Sequence, residues 1–266
     1  MNLFSINNEL LLLYNKRGIF PFPGEKKEDF LKKISKISLS NKKEPTSFSK
    51  LKNLFDIEPN WAQIQYTNKG LKFWEAALLE VGEEGYNLKI NKIFEKKSRY
   101  LGLYQKEEVI NHELCHLGRM HFDEPRYEEL LAYQTSNPFR KIVGPLFESP
   151  KESLFLMIFL LCSFLADLSL STNILLTLAL KKIPLLYLGC LALRLNRRYS
   201  KFNRCKGKLK KILNNPEKAL FVMYRMRDQE IDLFSKMKIE EIKEYILKQS
   251  ELRWEIIKKA YFKVSI

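Results

Sequence analysis

Imidazole is the scarcest chemistry in this chain: 3 histidines in 266 residues, and none outside positions 112–121. Cysteine is nearly as sparse. Cys115, Cys162, Cys190 and Cys205 lie far apart with no CxxC pair. That scatter excludes a disulfide-stapled scaffold and a cysteine-rich metal knuckle, and it suits reduced thiols in an intracellular compartment. Acid is short relative to base, 31 against 46, leaving a net charge of +15. A surplus of that sign bears on solubility and anionic partners, not on fold. No cleaved export signal is expected either. The apolar run Leu10–Tyr14 follows Glu9, is too short for a signal-peptide core, and has no small-residue cleavage site after it. There is no internal repeat and no long low-complexity tract.

What is present is enough chain for one large domain or two small ones with a sizeable core. The expected class is α+β and mostly helical. Residues 1–55 form an N-terminal helical region, with "GEKKEDFLKKISKI" at helical spacing and a polar linker over 38–50. Residues 56–150 make the chemistry-bearing domain. There "GLKFWEAALLEVG" suggests a buried helix, with a strand as the alternative for its second half. "YNLKINKIF", 86–94, alternates and is rich in Ile, so it predicts a strand, and "RYLGLY", 99–104, a second one. A helix is expected from Lys106 to about Leu117, broken by Gly118, and another from Pro125, capped by Asp123 or Glu124.

From 153 the character changes. "SLFLMIFLLCSFLADLSLSTNILLTLAL" carries Asp167 as its only charge, and "IPLLYLGCLALRL" follows Lys181 and Lys182. Residues 153–195 therefore predict a transmembrane or re-entrant hairpin turning at 169–173, with a pair of buried helices as the alternative. Lys181 and Lys182 would be costly in the returning arm unless they face something polar. Residues 196–266 form a basic helical region. The run 197–211 holds eight basic residues and no acid, with Tyr199 and Phe202 interleaved. It reads as a flank for anionic lipid in preference to a nucleic-acid grip. Two amphipathic helices should follow.

The histidines carry the chemistry. His112 and His116 are four apart, so on a helix both rings leave one face a turn apart. Two ring nitrogens so placed can meet one zinc ion. Glu113, beside the first, can take a proton from water that attacks a carbonyl. His112-Glu113-Leu114-Cys115-His116 is HExxH. A catalytic site wants a third protein ligand and one open position, and His121, Asp123, Glu124, Glu128 and Glu129 are all in range.

Residues 86–136 thus resemble a minimal gluzincin-type zincin metallopeptidase, in a layout similar to small HExxH proteins of the ImmA/IrrE kind and, more loosely, to membrane-bound zinc peptidases. In that group the third ligand is a glutamate on a following helix, often in an E-x-x-A-D or E-x-x-A-N box. Glu129-Leu130-Leu131-Ala132-Tyr133 resembles the box, with Tyr133 as the departure. The resemblance implies His112, His116 and Glu129 as zinc ligands, with Glu128 as alternate, and Glu113 as base. It also implies a tyrosine hydroxyl, Tyr133 or Tyr127, as stabiliser of the oxyanion. Neighbouring helix residues point about 100° apart, so Glu128 and Glu129 cannot serve equally. Arg119 is expected to pair with Glu124 or Glu128, and Cys115 to fill the core.

The expected function is a membrane-associated zinc-dependent peptidase acting on a peptide or protein, its site on the cytoplasmic side. One alternative is a non-enzymatic membrane protein with a structural or fortuitous HExxH. The other is a basic nucleic-acid-binding protein.

Overall fold

Helical spacing near the N-terminus produces α1 (Asn8–Lys16), α2 (Lys27–Lys36) and α3 (Ser49–Phe55). The computed structural model describes residues 8–262 apart from 37–47, 73–74, 83–84, 103, 121, 123 and 170–173. Most of the linker expected at 38–50 lies outside the described residues, and Ser49 and Lys50 already belong to α3.

A small mixed sheet follows, built from β1 (Gln63–Tyr66), β2 (Ala77–Gly82) and β3 (Gly85–Ile90) in the order β1-β3-β2. β1 runs parallel to β3, whereas β2 runs antiparallel to it from Ala77 opposite Ile90 to Gly82 opposite Gly85. The second half of "GLKFWEAALLEVG" is therefore a strand, the alternative to the expected helix. Its Ala and Leu residues favour a helix locally, but pairing with the Ile-bearing β3 satisfies the backbone instead. The strand expected over 86–94 stops at Ile90. The Asn91 side chain accepts from the Ile93 amide and starts a 3-10 turn, Lys92–Glu95. "RYLGLY" is a tight hairpin and not one strand. β4 (Arg99–Tyr100) and β5 (Tyr104–Gln105) flank Leu101 and Gly102, both at positive φ.

β5 leads directly into α4 (Lys106–Arg119), which packs on β2 and β3. Gly118 does not break α4 but lies inside it. A Cβ there would sit 2.3 Å from the Tyr224 hydroxyl and 3.2 Å from the Gly18 carbonyl oxygen. Close approach, not helix termination, demands the glycine. α5 (Pro125–Ala132) has Pro125 in its first turn, as expected, and Glu124 at the N-cap position, though the Glu124 side chain makes no capping bond; the helix continues as a 3-10 turn over Tyr133–Thr135. α6 (Pro138–Val143) follows, its end capped by the Asn137 side chain accepting from the Arg140 amide.

α7 (Pro150–Ser169) and α8 (Ile174–Leu213) pack against each other as a hairpin. Phe159 meets Tyr187 edge-on at 5.3 Å, and Arg194 grips Glu152. The turn expected at 169–173 falls where the two helices part, mostly outside the described residues. Asp167 and Lys181, the charges that interrupt the apolar run, bond to each other across the hairpin at 2.8 Å. Leu154, Phe155, Met157, Leu161, Phe164 and Leu168 of α7 are each half exposed or more. Among the described residues no helix is long and apolar enough to cross a membrane. Beyond the Asp167–Lys181 pair the sequence 168–180 is uncharged; on the other side of the pair, toward Glu152 and Arg194, the uncharged stretches are 153–166 and 183–193. At 1.5 Å per residue these measure about 21 and 16 Å, against a hydrocarbon core of about 30 Å.

The second half of α8 enters the core on a stripe of Leu191, Leu195, Phe202, Cys205 and Leu209. The C-terminal region holds four helices where two are expected: α9 (Lys218–Tyr224), α10 (Asp228–Lys236), α11 (Ile239–Lys248) and α12 (Leu252–Tyr261). The extra breaks fall before Asp228, where Glu230 accepts from the Arg227 amide, and before Leu252, where Lys258 Nζ donates to the Gln249 carbonyl at 2.8 Å. The expected break before Ile239 carries a capping acid too, Glu241 on the Lys238 amide. One continuous hydrophobic cluster joins α3 (Leu51, Phe55), β3 (Leu88, Ile90), α4 (Leu114) and α9 (Tyr224).

Candidate metal centre

α4 buries Val109, Ile110, Leu114, Cys115 and Leu117, and a helix with that face inward turns positions 112, 113 and 116 toward α5. Cys115 is core, as expected. His112 Nε2 and His116 Nε2 lie 3.2 Å apart. Glu129 completes the set from α5, with Oε2 3.6 Å from His112 Nε2 and Oε1 3.5 Å from His116 Nε2. Among the described residues His112, His116 and Glu129 are the one group of ligand-type side chains close enough to share an ion.

Glu128 takes a different part. Its Oε1 lies 2.8 Å from His116 Nδ1. An ionised carboxylate can only accept, so Nδ1 carries the proton and Nε2 presents its lone pair to the other donors. Burial works against the charged form of Glu128, but the His116 bond and charge and the Arg119 charge outweigh it and hold the carboxyl low.

The donor set fits zinc. A tetrahedral ion with bonds of about 2.0–2.1 Å needs ligand atoms about 3.3 Å apart, and the three separations fall between 3.2 and 3.6 Å. Two imidazole nitrogens and a carboxylate oxygen facing one point leave lone pairs that a cation would satisfy. Burial, with the charges of His116 and Arg140, pushes the His112 pKa well below its usual value, which keeps that ring in the neutral, ligating form. For His116 burial acts the same way, but Glu128, Glu129 and Glu113 overcome it and raise the imidazole to about 9. The two rings are thus not both cationic, and a metal ion would displace the proton from His116 Nε2 while leaving Nδ1–H on Glu128. His112 Nδ1 is buried without a hydrogen-bond partner.

Glu113 lies one position along from His112, half buried. Burial and the Glu129 charge push its carboxyl above the usual range, against the pull of His116. A carboxylate so raised is better matched to taking a proton near neutral pH. Tyr133 sits beside His112 with ring centroids 4.5 Å apart. Burial and Glu129 raise its phenol, so it stays protonated as a donor. Gly144 gives the ring room, since a Cβ there would come within 2.3 Å of it. Tyr127 is excluded as an oxyanion donor because its hydroxyl bonds to Asp232 at 2.5 Å, away from the histidines.

Arg119 does not pair with Glu124 or Glu128. It is buried and donates to the carbonyls of Tyr224 and Met226 at 2.6 and 3.0 Å. Glu124 instead accepts from Arg227 Nε at 2.9 Å and from the Asp228 amide. Of the remaining ligand candidates, His121 and Asp123 lie outside the described residues.

Sequence reasoning missed the residues that fix α5. Asp228 Oδ2 accepts from the amides of Arg126 and Tyr127 at 2.7 and 3.3 Å, closing the start of the helix that carries Glu128 and Glu129. Arg126 and Tyr127 both bond to Asp232. On the other side Glu108 accepts from the Asn137 amide and from Arg140, steadying the segment after Tyr133. These contacts join residues about thirty to a hundred positions apart, and no local pattern signals them. Compared with protein-family models, with curated proteins and with solved structures, the chain matches none.

Proposed function

We propose that the protein is a membrane-associated zinc-dependent metallopeptidase with a zincin-like core. The observation that carries this reading is the convergence of His112, His116 and Glu129 from two helices at zinc-like spacing. His112, His116 and Glu129 hold the metal, and no fourth His, Cys, Asp or Glu joins them among the described residues. A position open to water and substrate is the mark of a catalytic site over a closed structural one. Zinc bound there would supply Lewis acidity, polarising a carbonyl and bringing the pKa of water toward neutrality. Glu113 takes the proton from the attacking water at its carboxylate and passes it to the leaving amine. Tyr133 donates its hydroxyl proton toward the oxyanion. Glu128 fixes the tautomer and tilt of His116.

The hairpin supports the membrane part. α7 packs on α8, yet Leu154, Phe155, Met157, Leu161, Phe164 and Leu168 stay half exposed or more, and so apolar a face suits a nonaqueous cover. Its charge-free stretches suit one leaflet or the interface, with the basic α8 base and the metal site on the cytoplasmic side. The nucleic-acid reading loses its stacking residues. Phe202 is 2% exposed, and the Tyr199 hydroxyl is engaged by the Lys141 carbonyl.

Metal analysis and peptide hydrolysis on purified protein and a Glu113→Gln variant test the reading. The variant should keep one zinc per chain and lose hydrolysis by about 10²–10⁴-fold. Undiminished hydrolysis would remove Glu113 from the chemistry, and absence of zinc from both proteins would remove the reading itself.

A further inference from the structure

A cavity of about 820 Å³ lies not over the histidines but behind α5, between α5, α8 and α10. Its wall is strongly basic: Arg126, Arg194, Arg197, Arg198 and Lys201 all line it. Their pairing leaves charge over. Arg194 and Arg198 share Glu148, and Arg194 also holds Glu152. Arg126 and Lys201 share the single carboxylate of Asp232. Arg197 is exposed and bonds to no described side chain. Five cations thus meet three acids, a surplus that matches one phosphate group. The rest of the lining is spoken for, since Glu124 is tied to Arg227 and Asp228 caps α5.

Position supplies the second argument. Cys190 and Leu193 line the same cavity. They close the uncharged stretch 183–193 of α8, immediately before Arg194. In a bilayer, phosphates sit where the acyl region ends, so an apolar hairpin that gives way to a basic cleft presents the two layers of a lipid in order. Arg guanidinium groups suit phosphate oxygens by their fork geometry.

We propose that this cleft captures the headgroup phosphate of an anionic phospholipid, seating the hairpin at a fixed depth with the first turn of the metal-bearing α5 against the lipid-facing wall. The inference rests on the membrane reading above but names a site that the reading does not require.

Flotation of the full chain with vesicles separates the two. Phosphatidylcholine vesicles are compared with vesicles holding phosphatidylglycerol at about one part in four, for the unaltered protein, Arg197→Glu and Arg204→Glu. Arg204 lies on the same helix outside the cleft and serves as control for diffuse charge. The expected result is binding that prefers the anionic vesicles, weakened roughly tenfold by Arg197→Glu and less than about twofold by Arg204→Glu, with unchanged melting of both variants. Equal weakening by the two variants would overturn the cleft in favour of general surface charge. Equal binding to neutral and anionic vesicles would overturn the cleft while leaving the hairpin reading standing. Binding of soluble glycerol phosphate, sensitive to Arg197→Glu but without flotation, would make the site one for a free phosphate and overturn the lipid. Flotation with neither vesicle would sink the membrane reading and this inference together.

Discussion

Glu128 and Glu129 are adjacent carboxylates on one helix, and their separate geometries predict separate failures. Glu129 faces both Nε2 atoms, whereas Glu128 touches only His116 Nδ1. Glu129→Ala should therefore abolish stoichiometric zinc, while Glu128→Gln should retain zinc with affinity lowered about 10–100-fold. Chelator competition measures both, and equal effects would mean the roles are shared. Asp228 makes a second case. Burial raises its carboxyl to about 6, with the Arg119 charge and the α5 amides pulling the other way and Glu124 adding to the rise. A folded-state value above the usual 3.8 means that the charged form is the disfavoured one. Stability from this group is then complete below pH 4 and declines as pH rises through 6. Asp228→Asn keeps an acceptor for the α5 amides without that charge. Urea unfolding should show the unaltered protein losing ground to Asp228→Asn between pH 4 and 7, whereas Asp228→Ala should be destabilised by about 1–2 kcal/mol through the lost cap. A gap between the unaltered protein and Asp228→Asn that does not move with pH would refute this. At this scale His112, Glu113 and His116 were legible because helix periodicity brings HExxH to one face, whereas Glu129 was pointed to by the resemblance of Glu129–Tyr133 to a zincin glutamate box. Helix geometry required that Glu128 and Glu129 differ, but the atom Glu128 meets, His116 Nδ1, depends on how α5 is rotated against α4 and had no local signal.

Elements sort by how local their causes are. α4 and α5 were legible from their apolar spacing and from Pro125, and the sheet was harder. β2 is written in residues that favour a helix and is a strand only because β3 lies alongside it. The C-terminal helices were misjudged in number because an unbroken 3.6-residue rhythm runs through the breaks. Glu230 marks the first of those breaks as a capping acid, a cue available in the sequence, whereas the break before Leu252 has no such acid bonded to its first turn. Gly118 shows the opposite error, since it resembles a helix stop and is a contact. Its missing Cβ admits Tyr224, whose hydroxyl donates to the Cys115 carbonyl at 2.7 Å. Gly118→Ala should raise local helix propensity yet destabilise the protein by about 1–3 kcal/mol through overpacking. A rise in the urea midpoint for this variant would show that Tyr224 moves aside at little cost.

For the molecule as a whole, two regions obey different rules. The core region is stitched by buried arginines. Arg225 donates to the Asn15 side chain and to the carbonyls of Phe55 and Phe221, fastening the two ends of the chain together. The hairpin carries its apolar residues outward instead. Replacing Leu161 and Phe164 together by Glu should free the protein from vesicles while leaving zinc content and melting unchanged, because both side chains are more than half exposed. A collapse in melting temperature would show that the hairpin face belongs to the folded core. The hairpin was visible from hydropathy, but not the Asp167–Lys181 bond that makes its charges tolerable, since that pairing depends on the register of two helices.

The proposed chemistry needs one ion shared by α4 and α5. Zinc-edge X-ray absorption on the purified protein reads that ion's neighbours directly. The predicted spectrum has a single zinc with two imidazole nitrogens and carboxylate oxygen in its shell, and loses that signature in Glu129→Ala. Sulfur in the shell, a site unchanged by Glu129→Ala, or no zinc at all would contradict it.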